Sequence, residues 1–331
     1  MLFLFLYLLF SATDKPNQNL VFRNACQDFT FDNNSLLLDA QVGQLKGNFA
    51  LDFGNREPAL FQKATVQTTN NYEIINSLFY GDAEFLSELP IVNECNNVNE
   101  INGRLGYSLF DKSNRVIYFD FDSEQICCLS SSEFDALVKE GYVETKASFR
   151  SDAIYIPIEI KWKKYYLKFD TGFTGTVFMN QRDAAAFLKE QCKMYENATG
   201  SSSVYPNKWI TFSGSYYNSA VAVAAKGTSK IGIGFLKGFN WIIDFRNQKM
   251  YAKKNTISLD AENVFPPDLQ AKVRKGKLIV ISKNVGAIFP IGSTITAVNG
   301  TPVTSENLCD MEALIQNTKN LKQLDIQITP D

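Results

Sequence analysis

Apolar and polar positions alternate with a period of two through most of Leu36 to Leu129 and again from Ile154 to Lys254, broken at points such as Asn70-Asn71 and Asn96-Asn97. Successive strand side chains point to opposite faces, so this period predicts half-buried β-strands. Helical spacing is scarce. Ser131 to Lys139 predicts a short helix with Ser131 or Ser132 as its cap, and Gln181 to Met194 carries the helix formers Ala, Leu, Lys and Glu. Asn197 to Ser203 predicts an exposed loop. Beyond Thr256 the pattern shifts. Val264-Phe265-Pro266-Pro267 is a breaker, followed by a strand at Lys277 to Ile281 and by strand, Asn299-Gly300 turn and strand over Ile291 to Val303. A helix at Cys309 to Gln316 and a strand at Leu324 to Ile328 complete the chain.

The strand pattern is duplicated. The run Lys164 to Phe169 enters Asp170-Thr171-Gly172 and continues to Val177-Phe178-Met179. Placing Asp52 on Asp170, an offset of 170 − 52 = 118, aligns the flanks without a gap. Leu36-Leu37-Leu38 falls on Ile154-Tyr155-Ile156, Leu51 on Phe169, Gly54 on Gly172, and Ala59-Leu60-Phe61 on Val177-Phe178-Met179. A second pair of segments repeats as well: Leu105-Gly106 leads to Val116 to Phe121, and Ile231-Gly232 to Trp241 to Phe245. Each unit holds a carboxylate at a tight turn between strands. The glycine admits close backbone approach, and Thr171 offers a hydroxyl donor and acceptor beside the acid.

Composition narrows the chemistry. The 331 residues contain no histidine, which excludes Ser/His/Asp and Cys/His nucleophilic sites and His-ligated zinc or iron. No metal, nucleotide or organic cofactor is called for by what remains. The net charge is −2 with no basic block, which argues against a nucleic-acid partner. Residues 1–13 read as a secretory signal, an apolar run ending in small residues but lacking a basic start. Export follows, to periplasm, cell surface or medium, with an uncleaved N-terminal membrane anchor as the alternative. The six cysteines permit disulfides without defining their pairing, and Cys127 and Cys128 should face opposite sides of a strand.

The two Asp-Xaa-Gly units resemble the retropepsin-like aspartic proteases in their single-chain form, over roughly residues 30 to 255. The resemblance implies a mainly β fold: a two-lobed, pepsin-like closed-barrel protease with an N-terminal lobe at 14–145 and a C-terminal lobe at 146–255. Residues 256–331, with Ile295-Thr296-Ala297-Val298-Asn299-Gly300-Thr301-Pro302-Val303, look like a small α+β PDZ-like domain. Carried over, Asp52 and Asp170 form the catalytic dyad. Gly54, Asn55, Thr171, Gly172 and Thr174 support the catalytic loops.

Flap candidates are Asn70 to Phe85 and the hairpin Trp209 to Tyr216, where Trp209, Phe212 and Tyr216 would meet substrate; an ordinary core hairpin is the other reading of the second. The implied activity is hydrolysis of peptide bonds in peptides or unfolded proteins, with the dyad sharing a proton and activating water. The alternative is a catalytically weakened or inactive protease-like protein that binds peptides. Two departures bear on the choice. Phe53 stands where the family has a hydroxyl residue that bonds across the lobes, and Arg56, if turned inward, would favour ionised Asp52. For the PDZ-like segment, capture of a peptide C-terminus and a purely structural docking role both stand open.

Overall fold

The period-two runs form strands, and the fold is mainly β. The computed structural model describes residues 25–32, 35–42, 45–61, 72–75, 84–86, 91–92, 101–111, 115–186, 188, 190–197, 200–259, 268–285, 287–318 and 323–329. The N-terminal run expected to be a signal, the Pro266-Pro267 breaker and most of the Asn70 to Phe85 flap candidate lie outside the described residues.

The repeat seen in sequence is a repeat of strand pairing. In the first half, Ser35–Val42 pairs antiparallel with Leu45–Asp52, which pairs parallel with Gly103–Gly106 so that Asp52 stands opposite Gly106. In the second, Ile154–Ile160 pairs antiparallel with Lys163–Asp170, which pairs parallel with Lys230–Gly232 so that Asp170 stands opposite Gly232. Val177–Asn180 then pairs antiparallel with Lys230–Gly232 and parallel with Ser215–Ala224. The hairpin of Gly200–Phe212 and Ser215–Ala224 returns to Ile154–Ile160, with Ile210 opposite Ile160. These six strands close a barrel. Its buried positions, among them Ile156, Ile158, Leu167, Phe169, Val221 and Ile231, are the apolar members of the alternation.

The two Asp-Phe strands pair with each other. Val116–Asp120 runs antiparallel to Phe239–Asp244, with Ile117 opposite Ile243 and Phe119 opposite Trp241. One apolar core therefore crosses between the repeat halves, and Phe53, Phe119, Phe169, Trp241 and Phe245 all belong to it. A disulfide between Cys26 and Cys127 ties Ala25–Asp32 to Gln125–Cys128. Cys127 is thus both bridged and buried, while the half-buried Cys128 thiol on the other face is pushed up by burial.

Local propensity was overridden in two places. The expected helix from Gln181 to Met194 is only a turn of 3-10 helix at Asp183–Ala186 and the strand Lys193–Asn197. The expected loop at Asn197 to Ser203 is strand on both sides, since Lys193–Asn197 pairs with the start of Gly200–Phe212 and, on its other edge, with Lys277–Asn284. Long-range pairing outweighs the tenths of a kcal/mol by which helix formers differ. The helix Ser131–Lys139 forms, but its cap is Ser130, in a reciprocal pair of bonds with Glu133.

After residue 268 a hairpin, Leu269–Arg274 and Lys277–Asn284, packs with Thr294–Val298, the helix Leu308–Asn317 and Ile326–Thr329 around Leu278, Val280, Ile295 and Ile315. The free edge of Leu269–Arg274 faces that helix. There Glu312 accepts from the Val273 N–H at 2.7 Å and Gln316 donates to the Ala271 carbonyl at 3.4 Å. No helix among the described residues is long and apolar enough to cross a membrane.

Candidate active site

The two acid-bearing loops meet. A β-carbon on Gly54 would fall within 3.0 Å of the Asp170 carboxyl, and one on Gly172 would come to 2.5 Å from the Asp52 carboxyl. Each glycine is thus the surface against which the opposite acid rests, and no other residue fits there. The supporting elements repeat the arrangement beneath. The Tyr107 N–H donates to the Asn55 carbonyl at 3.1 Å, as the Ile233 N–H donates to the Phe173 carbonyl at 2.8 Å.

Thr171 clasps the first loop. Its hydroxyl donates to the Leu51 carbonyl at 2.7 Å and accepts from the Phe53 N–H at 2.9 Å. Phe53 cannot return those bonds. Its ring instead turns into the shared core, 1% exposed, stacking on Phe110 at 5.5 Å and meeting Phe119 at 5.5 Å and Phe169 at 6.1 Å edge-on. Half of the join between the loops is polar, and the other half is aromatic packing.

The two carboxyls are buried, at 8% and 6% exposure, but differently partnered. Asn55 donates to Asp52 Oδ2, while Asp52 Oδ1 is buried with no hydrogen-bond partner among the described residues. Burial raises the Asp52 pKa and the nearby Asp170 charge raises it further; the Asn55 bond, Arg104 and the Gly54 N–H work the other way. Asp170 Oδ1 accepts from the Gly172 N–H at 3.1 Å, and Asp170 Oδ2 accepts from the Lys230 ammonium at 2.9 Å. The Phe173 ring covers that ammonium at 4.7 Å.

Lys230 was not anticipated from the sequence, nor was Arg104. Both occupy the same place in the repeat, Arg104-Leu105-Gly106 and Lys230-Ile231-Gly232, so extending the aligned motif by one residue would have found them. Thr174, expected to support Asp170, is exposed; Lys230 occupies the outer oxygen instead. Arg56 turns away from the acids. It donates to the Tyr107 hydroxyl at 2.9 Å and to the Ser151 carbonyl, and lies 3.7 Å from Asp111.

The proposed flap hairpin divides. Phe212 lies in the core against Phe235, Phe239 and Trp241, so it cannot meet substrate. Trp209 and Tyr216 are exposed, but the register Glu159–Thr211 and Thr211–Tyr216 sets them on the outer face of the barrel wall with Glu159. No group of three or more metal-ligating side chains occurs among the described residues.

No family model matches the chain, and no curated protein matches it. Among solved structures it is similar to an aspartic proteinase from Irpex lacteus, at 11% identity and a TM-score of 0.46, covering 71% of this chain and 98% of that one. The arrangement above is therefore read from its own geometry.

Proposed function

We propose that the protein is an exported aspartic endopeptidase built as two lobes, 14–145 and 146–255, each supplying one acid of a dyad at their junction. The observation that carries this reading is the reciprocal seating of Asp52 on Gly172 and Asp170 on Gly54. Two buried carboxyls so placed share a proton and can pass it on.

Hydrogen-bond inventory supports a division of labour. Both Asp170 oxygens accept bonds, from Gly172 and Lys230, which suits an ionised general base that takes a proton from water. Asp52, with Oδ1 unpartnered and its pKa raised, suits the protonated partner that donates to the carbonyl oxygen. Water adds to the peptide carbonyl as its proton passes to Asp170. The tetrahedral diol then collapses with proton transfer to the departing amine.

One observation favours the second reading, a peptide-binding groove without catalysis: the Lys230 ammonium lies on the base itself. In the C-terminal unit, Glu312 and Gln316 hold backbone groups at the edge that strand addition would use, which supports a structural docking role over capture of a peptide C-terminus.

A peptide whose scissile amide is replaced by a secondary alcohol tests the dyad directly, because the hydroxyl takes the place of the attacking water. Bound to the protease, it raises the melting temperature of the wild type and not of Asp52→Asn or Asp170→Asn. Equal stabilisation of all three would assign the groove to binding alone.

A further inference from the structure

We propose that the outer barrel face around Trp162, Trp209 and Tyr216 is a docking surface for an anionic lipid bilayer. The inference does not depend on the protease reading. It starts from burial. Trp162 is 82% exposed, Trp209 61% and Tyr216 60%, while the third tryptophan of the chain, Trp241, is fully buried.

Register brings the three together. Ile160 stands opposite Ile210, so Trp209 extends one position further, beside the 161–162 turn; Tyr216 lies diagonally across the hairpin from Trp209, on the same face. The Lys161-Trp162 turn is itself uncommon. Both residues hold left-handed backbone, φ 50° and 64°, in a two-residue hairpin connection that Asn-Gly adopts far more cheaply. Local folding preference therefore gives no reason for a large ring at this tip, and strained backbone clusters where a protein binds something.

Charge selects the partner. Lys161, Lys163 and Lys164 flank Trp162 at the exposed hairpin tip, against the carboxylates of Glu159 and Glu190, a local excess of positive charge on a chain whose net charge is −2, while Lys208 is buried behind them. Lys161 and Lys208 share the single carboxylate of Glu190, and Lys163 lies over the Tyr165 ring at 5.1 Å. Tryptophan and tyrosine settle at the level of lipid headgroups because one part of each ring system is apolar and another donates hydrogen bonds. Lysine stems lie along apolar surface while their ammonium groups reach anionic headgroups. Indole rings on a protruding turn, fringed by lysines, fit that interface better than the polar surface of a soluble polyanion.

The test reads the tryptophans themselves. The full chain is mixed with vesicles of equimolar phosphatidylcholine and phosphatidylglycerol whose acyl chains carry bromine, and indole fluorescence is followed. Quenching of about half the emission is expected in the wild type, with vesicle affinity reduced at least about fivefold in Lys163→Glu/Lys164→Glu, which keeps both reporter tryptophans. Binding of Trp162→Ala/Trp209→Ala, which lacks the reporters, is read by vesicle co-flotation, and an affinity equal to the wild type would overturn the proposal. Wild-type emission unchanged by the brominated lipid would overturn the proposal. So would quenching that is equal on pure phosphatidylcholine, or protection of these tryptophans from iodide by a soluble polyanion with no effect from vesicles.

Discussion

Thr171 holds the backbone of Phe53 across 118 residues of sequence, its hydroxyl accepting from the Phe53 N–H at 2.9 Å while donating to Leu51 at 2.7 Å. The bond lies at the centre of the junction and both partners are buried. Thr171→Val keeps the shape and removes both bonds, leaving a buried N–H and a buried carbonyl unpaired. A loss of about 1–3 kcal/mol in chemical denaturation is expected, together with reduced peptidase turnover. Unchanged stability would mean that the clasp contributes nothing.

Phe53→Thr restores the hydroxyl that the family resemblance leads one to expect, and it is predicted to harm the protein. Phe53 fills space between Phe110, Phe119 and Phe169, and removing its ring leaves a cavity in the core that crosses the repeat. Roughly 3 kcal/mol or more of stability should be lost, measured by denaturant titration. A more stable and more active variant would show that Phe53 is a defect and not a structural substitute.

Ionising Asp52 costs folded-state stability, because burial and the Asp170 charge raise its pKa above the unfolded value. The cost is absent below the unfolded value and grows as pH rises through the folded value. Asp52→Asn removes it. The variant should melt above the wild type near about pH 7, with the gap closing toward about pH 3. A gap that widens on acidification would reverse the sign and contradict the burial account.

Lys230→Met strips one donor from Asp170, whereas Lys230→Arg keeps a cation within reach. If the ammonium positions the base, the Met variant loses at least about tenfold in kcat with KM little changed, and Arg restores most of it. A gain in activity in the Met variant would identify Lys230 as a brake on the site.

The gapless offset between Asp52 and Asp170 was legible because strand, turn and glycine follow one another locally, so duplication preserved them in register. The repeat also marks Lys230 as the counterpart of Arg104, but its contact with Asp170 was not legible, because that contact arises from parallel pairing of strands 60 residues apart. The grouping of Trp209, Phe212 and Tyr216 on substrate overlooked the strand alternation, which puts Trp209 and Phe212 on opposite sides of the hairpin, with Phe212 inside. The helix formers from Gln181 to Met194 misled because strand partners from distant segments, Ala222 to Ala224 and Lys277–Asn284, claim the surrounding backbone. Asn55, placed by the resemblance among the residues that support the catalytic loops, bonds Asp52 directly.

Cleavage of an unbiased peptide library between about pH 3 and 7, read by mass spectrometry for wild type, Asp52→Asn and Asp170→Asn, tests the dyad most directly. The account predicts endoproteolytic products from the wild type and at least about a hundredfold loss in each variant, since neither acid can replace the other. Persistence of the same cleavages in both variants would contradict it, and so would a wild type that binds the peptides and leaves every one intact.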